Sequence, residues 1–281
     1  MDEDDRGAHA VSDPSRDSAG SPGRLGATGY ASPIAETSPF RLALLNPNTD
    51  ERHTIAMGAV ARAALPEGCE VTAVSAARGP SSIESAIDSA VAAAEVAALV
   101  QSLAPHDAYL VSCFGDPGVE AARELTRAPV VGIGEAAFLA AGAIAKRFAI
   151  ITTLPRSIPA LEDSLERLGM RARCAGIVPL QIPVAEQGGE HTDTTEAIVA
   201  AGTGLVLEHG AEALILACGG MAEVARAVQQ RVGVPVCDGV AFGALVAYSL
   251  WRCGLETSKS GAYGFPEPIP YTAMTSPSGA V

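Results

Sequence analysis

The sequence predicts an α/β protein of two similar lobes, each a parallel β-sheet with helices on both faces, with a ligand cleft between them. Two observations predict this fold. Short apolar runs alternate with longer amphipathic segments from Arg41 onward, and one order of landmarks occurs twice at a nearly constant spacing. Alternation of buried strands with helices is typical of right-handed βαβ units in doubly wound sheets.

Seven apolar runs have the composition of strands buried on both faces of a sheet. In chain order they are RLALLN, CEVTAVSA, AYLVSC, PVVGI, RFAIITT, ALILAC and VPVCDGV. Helical spacing of apolar residues marks the segments between them. These are IESAIDSAVAAAEVAALVQSLA, PGVEAARELTR, IPALEDSLERLG, DTTEAIVAAGTGLVLEHG and MAEVARAVQQRVG, and a further helix, AFGALVAYSL, follows the last strand.

An internal repeat relates the two halves of the chain. RLALLNPNT begins at Arg41 and RFAIITTLP at Arg147, 106 residues later, while DAYLVSC begins at Asp107 and EALILAC at Glu212, 105 residues later. A helix and a Pro-Val strand then follow in the same order in both halves. We infer two lobes related by a pseudo-twofold axis. A duplication whose halves share no site is the alternative.

Composition bounds the class of partner. The net charge of -13 and the pI near 4.8 argue against nucleic acid or an anionic membrane, which need a basic surface. Residues 1–39 are rich in Asp, Ser, Gly and Pro, which predicts a disordered acidic tail. No signal peptide fits this acidic start, and no apolar run reaches the length of a membrane span. We therefore expect a cytoplasmic protein with reduced cysteines.

A metal or covalently bound cofactor has little support in the sequence. There is no CxxC and no Cys/His cluster at zinc spacing, so no metal site is expected. A Schiff-base enzyme using pyridoxal phosphate would have to use Lys146 or Lys259.

Cys113 and Cys218 each stand where a predicted strand ends and a glycine-containing turn begins. Ligands of open α/β sheets bind at the carboxyl ends of the strands, so the repeat places these cysteines on opposite walls of one cleft. Backbone N–H groups at a helix start stabilise a thiolate. A lone cysteine in a strand is usually a core residue. That interpretation suits the cysteines without a partner at the repeat spacing, which are Cys69, Cys174, Cys237 and Cys253.

Two opposed thiols provide what inversion of a carbon stereocentre needs. A thiolate on one wall removes a proton from carbon, and a thiol on the other returns one to the opposite face. The two cysteines exchange roles in the reverse direction, so two similar turns, each with one cysteine, suit this reaction. Removing a proton next to a carbonyl gives an enolate, which preorganised N–H groups stabilise. The turns offer such donors at Phe114, Gly115, Gly219 and Gly220.

The strand end LNPNT faces the same cleft. Turn chemistry alone favours Asn beside Pro47, so Asn46 and Asn48 have a structural explanation. Because this strand end faces the cleft, the case for Asn48 and Thr49 as polar ligands of a substrate is equally strong. Both interpretations stay open at this point.

With the cysteines placed, the sequence resembles the aspartate/glutamate/hydantoin racemase superfamily, and within it the hydantoin and allantoin racemases. The matching segments run from Arg41 to about Pro268 and are LNPNT, GPSSIESAID, CFGDPGVEAARE, PVVGIGEAA, RFAIITTLPRS, GVPVCDGV and GLETSKSGAYGFP. The second motif departs from the usual Cys-Ala-Gly-Met and is CGGM. Ser81 in GPSS and Met221 in CGGM are further candidate substrate ligands.

The resemblance implies two flavodoxin-like lobes and racemisation by Cys113 and Cys218 without a cofactor. It implies that residues 40–132 with 240–281 form the first lobe and residues 133–239 the second. A homo-oligomer is implied as well.

The residues after the cysteines favour a neutral cyclic ureide as substrate. Phe-Gly and Gly-Gly offer backbone donors and an apolar ring, whereas amino-acid racemases of this superfamily tend to place Asn, Thr or His there. A hydantoin racemase and an allantoin racemase remain equally compatible with these residues. An aspartate or glutamate racemase, a cis–trans isomerase and a non-catalytic ligand-binding module are the alternatives.

Overall fold

A computed structural model of the chain describes residues 39–182 and 192–267. Its strands form two four-stranded parallel sheets. The first sheet contains β1 (Arg41–Asn46), β2 (Glu70–Ser75), β3 (Ala108–Val111) and β4 (Val130–Gly132). The second contains β5 (Phe148–Thr152), β6 (Cys174–Pro179), β7 (Ala213–Leu216) and β8 (Val236–Asp238).

The two sheets have the same topology. Their strand orders are β2-β1-β3-β4 and β6-β5-β7-β8, which is the flavodoxin-like order repeated. Equivalent central pairs hold each sheet in register, with Leu42 beside Ala108 in the first and Phe148 beside Ala213 in the second. The predicted α/β class with two pseudosymmetric flavodoxin-like sheets is confirmed.

Helices separate the strands and cover the sheets. In the described ranges the α-helices are α1 (Glu51–Ala64), α2 (Ala86–Ser102), α3 (Val119–Leu125), α4 (Ile133–Ile144), α5 (Ile158–Arg167), α6 (Thr192–His209), α7 (Ala225–Val232) and α8 (Gly239–Arg252). Short 3₁₀ helices span Pro155–Ser157, Arg171–Arg173 and Gly219–Val224. Side-chain caps start three of the α-helices, at Asp50, Ser85 and Asp238, by accepting backbone N–H groups that the first turn leaves unpaired.

All seven predicted strands are present, whereas β6, α1 and α4 were not predicted. The edge strand β6, CAGIVP, is apolar but only partly buried, and it contains Gly176 and Pro179, which are uncommon inside strands. Helix α4 is apolar on most sides, because seven of its residues are buried, and therefore shows little amphipathic period.

Helix α4 crosses from the first sheet to the second. Ile133 and Ala136, near its start, belong to the apolar core that contains Leu110 of β3. Phe138, one turn later, packs in the core that contains Ile150 of β5. Helix α4 therefore follows the last strand of the first sheet and covers the second.

Helix α8 makes the complementary crossing. It follows β8 of the second sheet, yet Val240, Ala244 and Ala247 pack in the core of the first sheet with Leu42 and Leu44. The two helices also pack against each other. This packing supports the lobe boundaries expected from the sequence, 40–132 with 240–281 and 133–239, which stay a prediction.

The motif TSKSGAYGF secures the end of α3. Lys259 Nζ donates to the carbonyl oxygen of Arg123 and, at 3.3 Å, to that of Glu124, and so caps the last turn of the helix. Thr257 adds an Oγ1–H bond of 2.9 Å to the carbonyl of Ala128. The C-terminal segment thereby fixes the helix that follows Cys113.

Of the predicted acidic tail, residues 1–38 lie outside the described residues. None of the helices in the described ranges combines the length and apolar composition that crossing a bilayer requires.

Candidate active site

Cys113 and Cys218 occupy equivalent turns, one at the end of β3 and the other at the end of β7. The carbonyl of each cysteine accepts a hydrogen bond from the N–H three residues later, Asp116 N at 2.9 Å in the first turn and Met221 N at 3.1 Å in the second. The two similar cysteine-containing segments of the sequence therefore form two equivalent turns in the structure.

Both cysteines line one cavity of about 640 Å³. This volume is within the ordinary range of small-molecule sites. Of the residues predicted from sequence, the cavity wall contains Asn48, Cys113, Phe114, Gly115, Cys218, Gly219 and Gly220. The structure thus brings together both cysteines, their turns and the end of β1.

Three predicted residues lie away from the cavity wall. Thr49 donates its N–H to the carbonyl of Pro80 at 3.1 Å, and Ser81 is exposed on the adjoining loop. The Met221 side chain is 1% exposed and packs in the core of the second sheet. Its backbone N–H nevertheless faces the sulfur of Cys218.

Asn48 has the structural role that turn chemistry predicts. Its Oδ1 accepts hydrogen bonds from Asn46 Nδ2 at 2.8 Å and from Asp50 N at 2.9 Å. Asn46 Nδ2 also donates to Thr54 Oγ1 of α1 at 2.8 Å. Because Asn48 also lines the cavity, a contact with substrate stays a prediction.

Phe114 contributes to the core as well as to the cavity. Its side chain is 7% exposed and meets the ring of Phe138 edge-on, with 5.6 Å between the ring centroids. The expected apolar ring is therefore present, but it is anchored against α4 and has little freedom to follow a ligand.

Burial dominates the acidity of both thiols. It raises the pKa of Cys113 to about 12, with the N–H of Gly115 acting in the opposite direction. It raises the pKa of Cys218 to about 11, against the N–H groups of Gly220 and Met221. The sequence predicts donors that favour a thiolate, and the structure contains them, but desolvation outweighs them. Both thiols are therefore neutral at pH 7 in the substrate-free protein.

The charges of the two sulfurs interact. The charge of Cys218 raises the pKa of Cys113 further, after the effect of burial. Ionisation of one thiol therefore opposes ionisation of the other, which disfavours a state with two thiolates.

Several cavity residues were not predicted from the sequence. Thr152 and Thr153 end β5, His53 lies on α1, and Arg156 lies in the short helix after β5. Ser112 Oγ is, among the described residues, the buried side-chain polar atom without a hydrogen-bond partner. The repeat could have identified Thr152, because it stands 106 residues after Asn46.

Asp116 ties the Cys113 turn to the start of α4. Its carboxylate accepts the N–H of Gly134 at 2.8 Å and that of Glu135 at 2.7 Å. The residue adopts a positive φ of 49°, which is uncommon for a side chain other than glycine. Gly132 is required here, because a Cβ at that position would overlap the Asp116 carboxyl group.

Asp116 is expected to make stability depend on pH. Burial and the charge of Glu135 raise its pKa to about 7, whereas an unfolded chain has the ordinary value of 3.8. The folded state therefore holds this proton more tightly, so its contribution is largest below pH 4 and is lost as pH rises to 7. The unfolding free energy of the wild type relative to Asp116→Asn should fall by up to about 4 kcal/mol across this window.

Urea unfolding of both proteins at pH 4, 5, 6 and 7 measures this difference. A constant difference would show that Asp116 titrates as in the unfolded chain.

A metal ion has no evident site in the described ranges, where no group of three or more His, Cys, Asp or Glu side chains is arranged to hold one.

Sequence comparison identifies the family of this chain. The model of the Asp/Glu/Hydantoin racemase family matches residues 42–247. The chain is 36% identical over 234 residues to a hydantoin racemase of Pseudomonas sp. (strain NS671), covering 83% of this chain and 94% of that protein. It is 35% identical over 231 residues to the hydantoin racemase of Paenarthrobacter aurescens, covering 81% and 98%.

Solved structures agree with this assignment. An allantoin racemase from Pseudomonas fluorescens matches with a TM-score of 0.80 and 35% identity, covering 83% of this chain and 100% of that one. The allantoin racemase from Klebsiella pneumoniae matches with a TM-score of 0.79 and 36% identity, covering 83% and 96%. The chain therefore belongs to the Asp/Glu/Hydantoin racemase family and is a racemase, an isomerase.

Proposed function

We propose that this chain inverts the C5 stereocentre of 5-substituted hydantoins or of allantoin by proton transfer between Cys113 and Cys218, without a cofactor. One observation carries the proposal: two cysteines in equivalent turns, one from each sheet, line the same cavity. The hydantoin and allantoin racemases named above are relatives of more than 30% identity over most of the chain.

The chemistry follows from this pair. One sulfur, as thiolate, takes the proton from C5, and the C–H electron pair moves into the neighbouring C4 carbonyl to give a flattened enolate. The other sulfur, as thiol, gives its proton to the opposite face of C5. The S–H bond formed on one wall balances the S–H bond broken on the other, and the enzyme finishes with the two protonation states exchanged.

The turns supply the electrostatic part of catalysis. In the folded protein the N–H of Gly115 faces Cys113, and the N–H of Gly220 faces Cys218. These donors stabilise whichever sulfur is ionised. We propose that the N–H groups of Phe114 and Gly219, in the same turns, serve the enolate oxygen.

The cavity wall suits a ring with a substituent. Met57, Ile83 and Leu161 provide apolar surface. Charged side chains of both signs are present on the wall, namely Glu84, Arg156 and Asp163, so the wall as a whole does not select an anion. The volume of about 640 Å³ leaves room for a 5-substituent beside a hydantoin ring.

A panel of enantiopure compounds tests the proposal. Several 5-substituted hydantoins, allantoin, aspartate, glutamate and maleate are each incubated with the protein; circular dichroism follows the loss of optical activity of the chiral compounds, and proton NMR follows the formation of fumarate from maleate. We expect racemisation of at least one ureide, at the same rate with EDTA as without it. The matched control without protein corrects for spontaneous racemisation.

Each other outcome overturns a stated part of the proposal. Inversion of aspartate or glutamate alone would favour an amino-acid racemase, and conversion of maleate alone a cis–trans isomerase. Loss of ureide racemisation on chelation would refute the cofactor-independent mechanism. A homo-oligomeric state and a cytoplasmic location stay predictions.

A further inference from the structure

The two cysteine turns differ in the charge of one side chain. Asp116 of the first turn corresponds to Met221 of the second, 105 residues later. Each of these residues donates its backbone N–H to the carbonyl of its cysteine. Met221, however, packs in the apolar core of the second sheet, whereas Asp116 has a carboxyl group. The turn of Cys113 therefore contains an acidic group that the turn of Cys218 lacks.

The carboxyl group of Asp116 is fixed in place. Its two oxygens accept one N–H each from the start of α4, from Gly134 at 2.8 Å and from Glu135 at 2.7 Å. Its backbone N–H donates to the carbonyl of Cys113 at 2.9 Å. Because both the side chain and the backbone are held, the carboxyl group stays beside the Cys113 turn.

A second cavity connects Asp116 with solvent. It has a volume of about 350 Å³, and its wall contains Asp116, Glu120, Glu135 and Arg167. Its wall residues are all different from those of the cavity that contains the cysteines. Since Glu120 and Arg167 are exposed, protons reach this wall without crossing the cysteine cavity. Asp116 can therefore exchange its proton whether or not that cavity is occupied.

The surroundings of Asp116 set the pH at which it becomes charged. Burial and the charge of Glu135 raise its pKa to about 7, against the N–H groups of Gly134 and Glu135 and the charge of Arg167. Glu120 of α3 is the further ionisable side chain on the wall of the second cavity. Asp116 is therefore mostly neutral at pH 6 and mostly a carboxylate at pH 8.

The charge of Asp116 acts on the sulfur of Cys113. After the larger effects of burial and of the charge of Cys218, it raises the pKa of Cys113. Two N–H groups, those of Gly220 and Met221, lower the pKa of Cys218, against burial and the charge of Glu84. The other ionisable side chains on the wall of the cysteine cavity are His53, Arg156 and Asp163. A thiolate is thus less favourable at Cys113 than at Cys218.

We propose that Asp116 is a positioning residue that acts through Cys113: as a carboxylate it holds Cys113 in the thiol form, so that Cys218 ionises first. This inference rests on the proposed function. In this state Cys218 takes the C5 proton, and Cys113 gives its own proton to the opposite face. Asp116 neither gains nor loses a proton in the reaction and acts by its charge alone.

Thiol modification tests the inference without substrate. Wild type and Asp116→Asn are treated with methyl methanethiosulfonate between pH 5.5 and pH 9, and mass spectrometry measures the initial rate at each cysteine. Asparagine tolerates the positive φ of this position and keeps one acceptor oxygen. We expect the Cys113 rate of the variant, relative to wild type, to rise from about 1 at pH 5.5 to about fivefold at pH 9. The Cys218 rates should agree at every pH.

The pH profile separates a charge effect from a structural one. In the wild type the Cys113 rate should rise by less than about tenfold per pH unit between pH 6 and pH 8, because Asp116 ionises in this range. The Cys218 rate should rise by about tenfold per unit throughout. Glu120→Gln is the matched control, since it removes an exposed carboxylate from the wall of the second cavity. It should leave both wild-type profiles unchanged.

A Cys113 rate ratio that is the same at every pH would overturn the inference, because it would indicate a change in the shape of the turn. An equal pH-dependent change at Cys218 would also overturn it. A protein that shows the expected profiles but racemises no ureide would contradict the proposed function and leave the effect of Asp116 on Cys113 standing.

Discussion

Replacing either Cys113 or Cys218 with serine is expected to lower the racemisation rate by at least about 10³-fold. A serine hydroxyl is far less acidic than a thiol, so each variant loses, on one face of C5, the group that acts as base in one direction and as acid in the other. General acid–base groups typically contribute about 10²–10⁴-fold each. Polarimetry on the ureide that the wild type racemises measures the loss.

Proton exchange distinguishes this mechanism from a general loss of structure. Each single variant keeps one thiol, so it should still exchange the C5 proton of one enantiomer with deuterium while inverting neither. The two variants should select opposite enantiomers. Cys253→Ser, at an exposed cysteine after α8, is the control and should retain wild-type activity. A single cavity-cysteine variant that racemises at the wild-type rate would refute the two-thiol mechanism.

Gly134→Ala is expected to destabilise the protein by about 3 kcal/mol or more. A Cβ at this position would overlap the backbone carbonyl oxygen of Phe114, next to Cys113, and would also meet the Asp116 carboxylate at 2.8 Å. The turn that carries Cys113 must therefore move away from α4. Since small misplacements of reacting groups are costly, we also expect about a 100-fold loss of activity.

Gly204→Ala is the matched control for this substitution. Both glycines lie in α-helices, but nothing stands within 4 Å of a Cβ at Gly204. Alanine should therefore stabilise α6 there by about 0.5–1 kcal/mol and leave racemisation unchanged. Urea unfolding and initial rates measure both effects. Similar outcomes for the two variants would show that the contact of Gly134 with the Cys113 turn is unimportant.

The sequence was sufficient for seven of the eight strands in the described residues, because buried parallel strands require continuous apolar runs. RLALLN predicts β1 with the bounds that the structure shows, and RFAIITT contains β5. The repeat predicted that two sheets would share one topology, which is confirmed. Edge strand β6 was missed because CAGIVP, although apolar, contains Gly176 and Pro179, which are more typical of turns and strand edges.

Residues that reach the cavity from helices were harder to predict. His53 and Met57 approach the Cys218 turn only because α1 packs across it, a contact between residues more than 150 positions apart. The net acidity of the thiols could not be predicted from the sequence for a related reason. Sequence identifies the N–H donors beside Cys113, whereas desolvation depends on how completely both halves enclose the sulfur.

The crossing of α4 and α8 bears on how such a chain could arise. Each helix continues from one sheet and completes the other, so an isolated half would expose the apolar face that its missing helix covers. Two identical half-length chains could satisfy both sheets by exchanging their last helices, as in a domain-swapped homodimer. Joining them end to end would preserve every such contact. Gene fusion would then have freed the two copies to diverge, with Phe114 after the cysteine in one and Gly219 after it in the other.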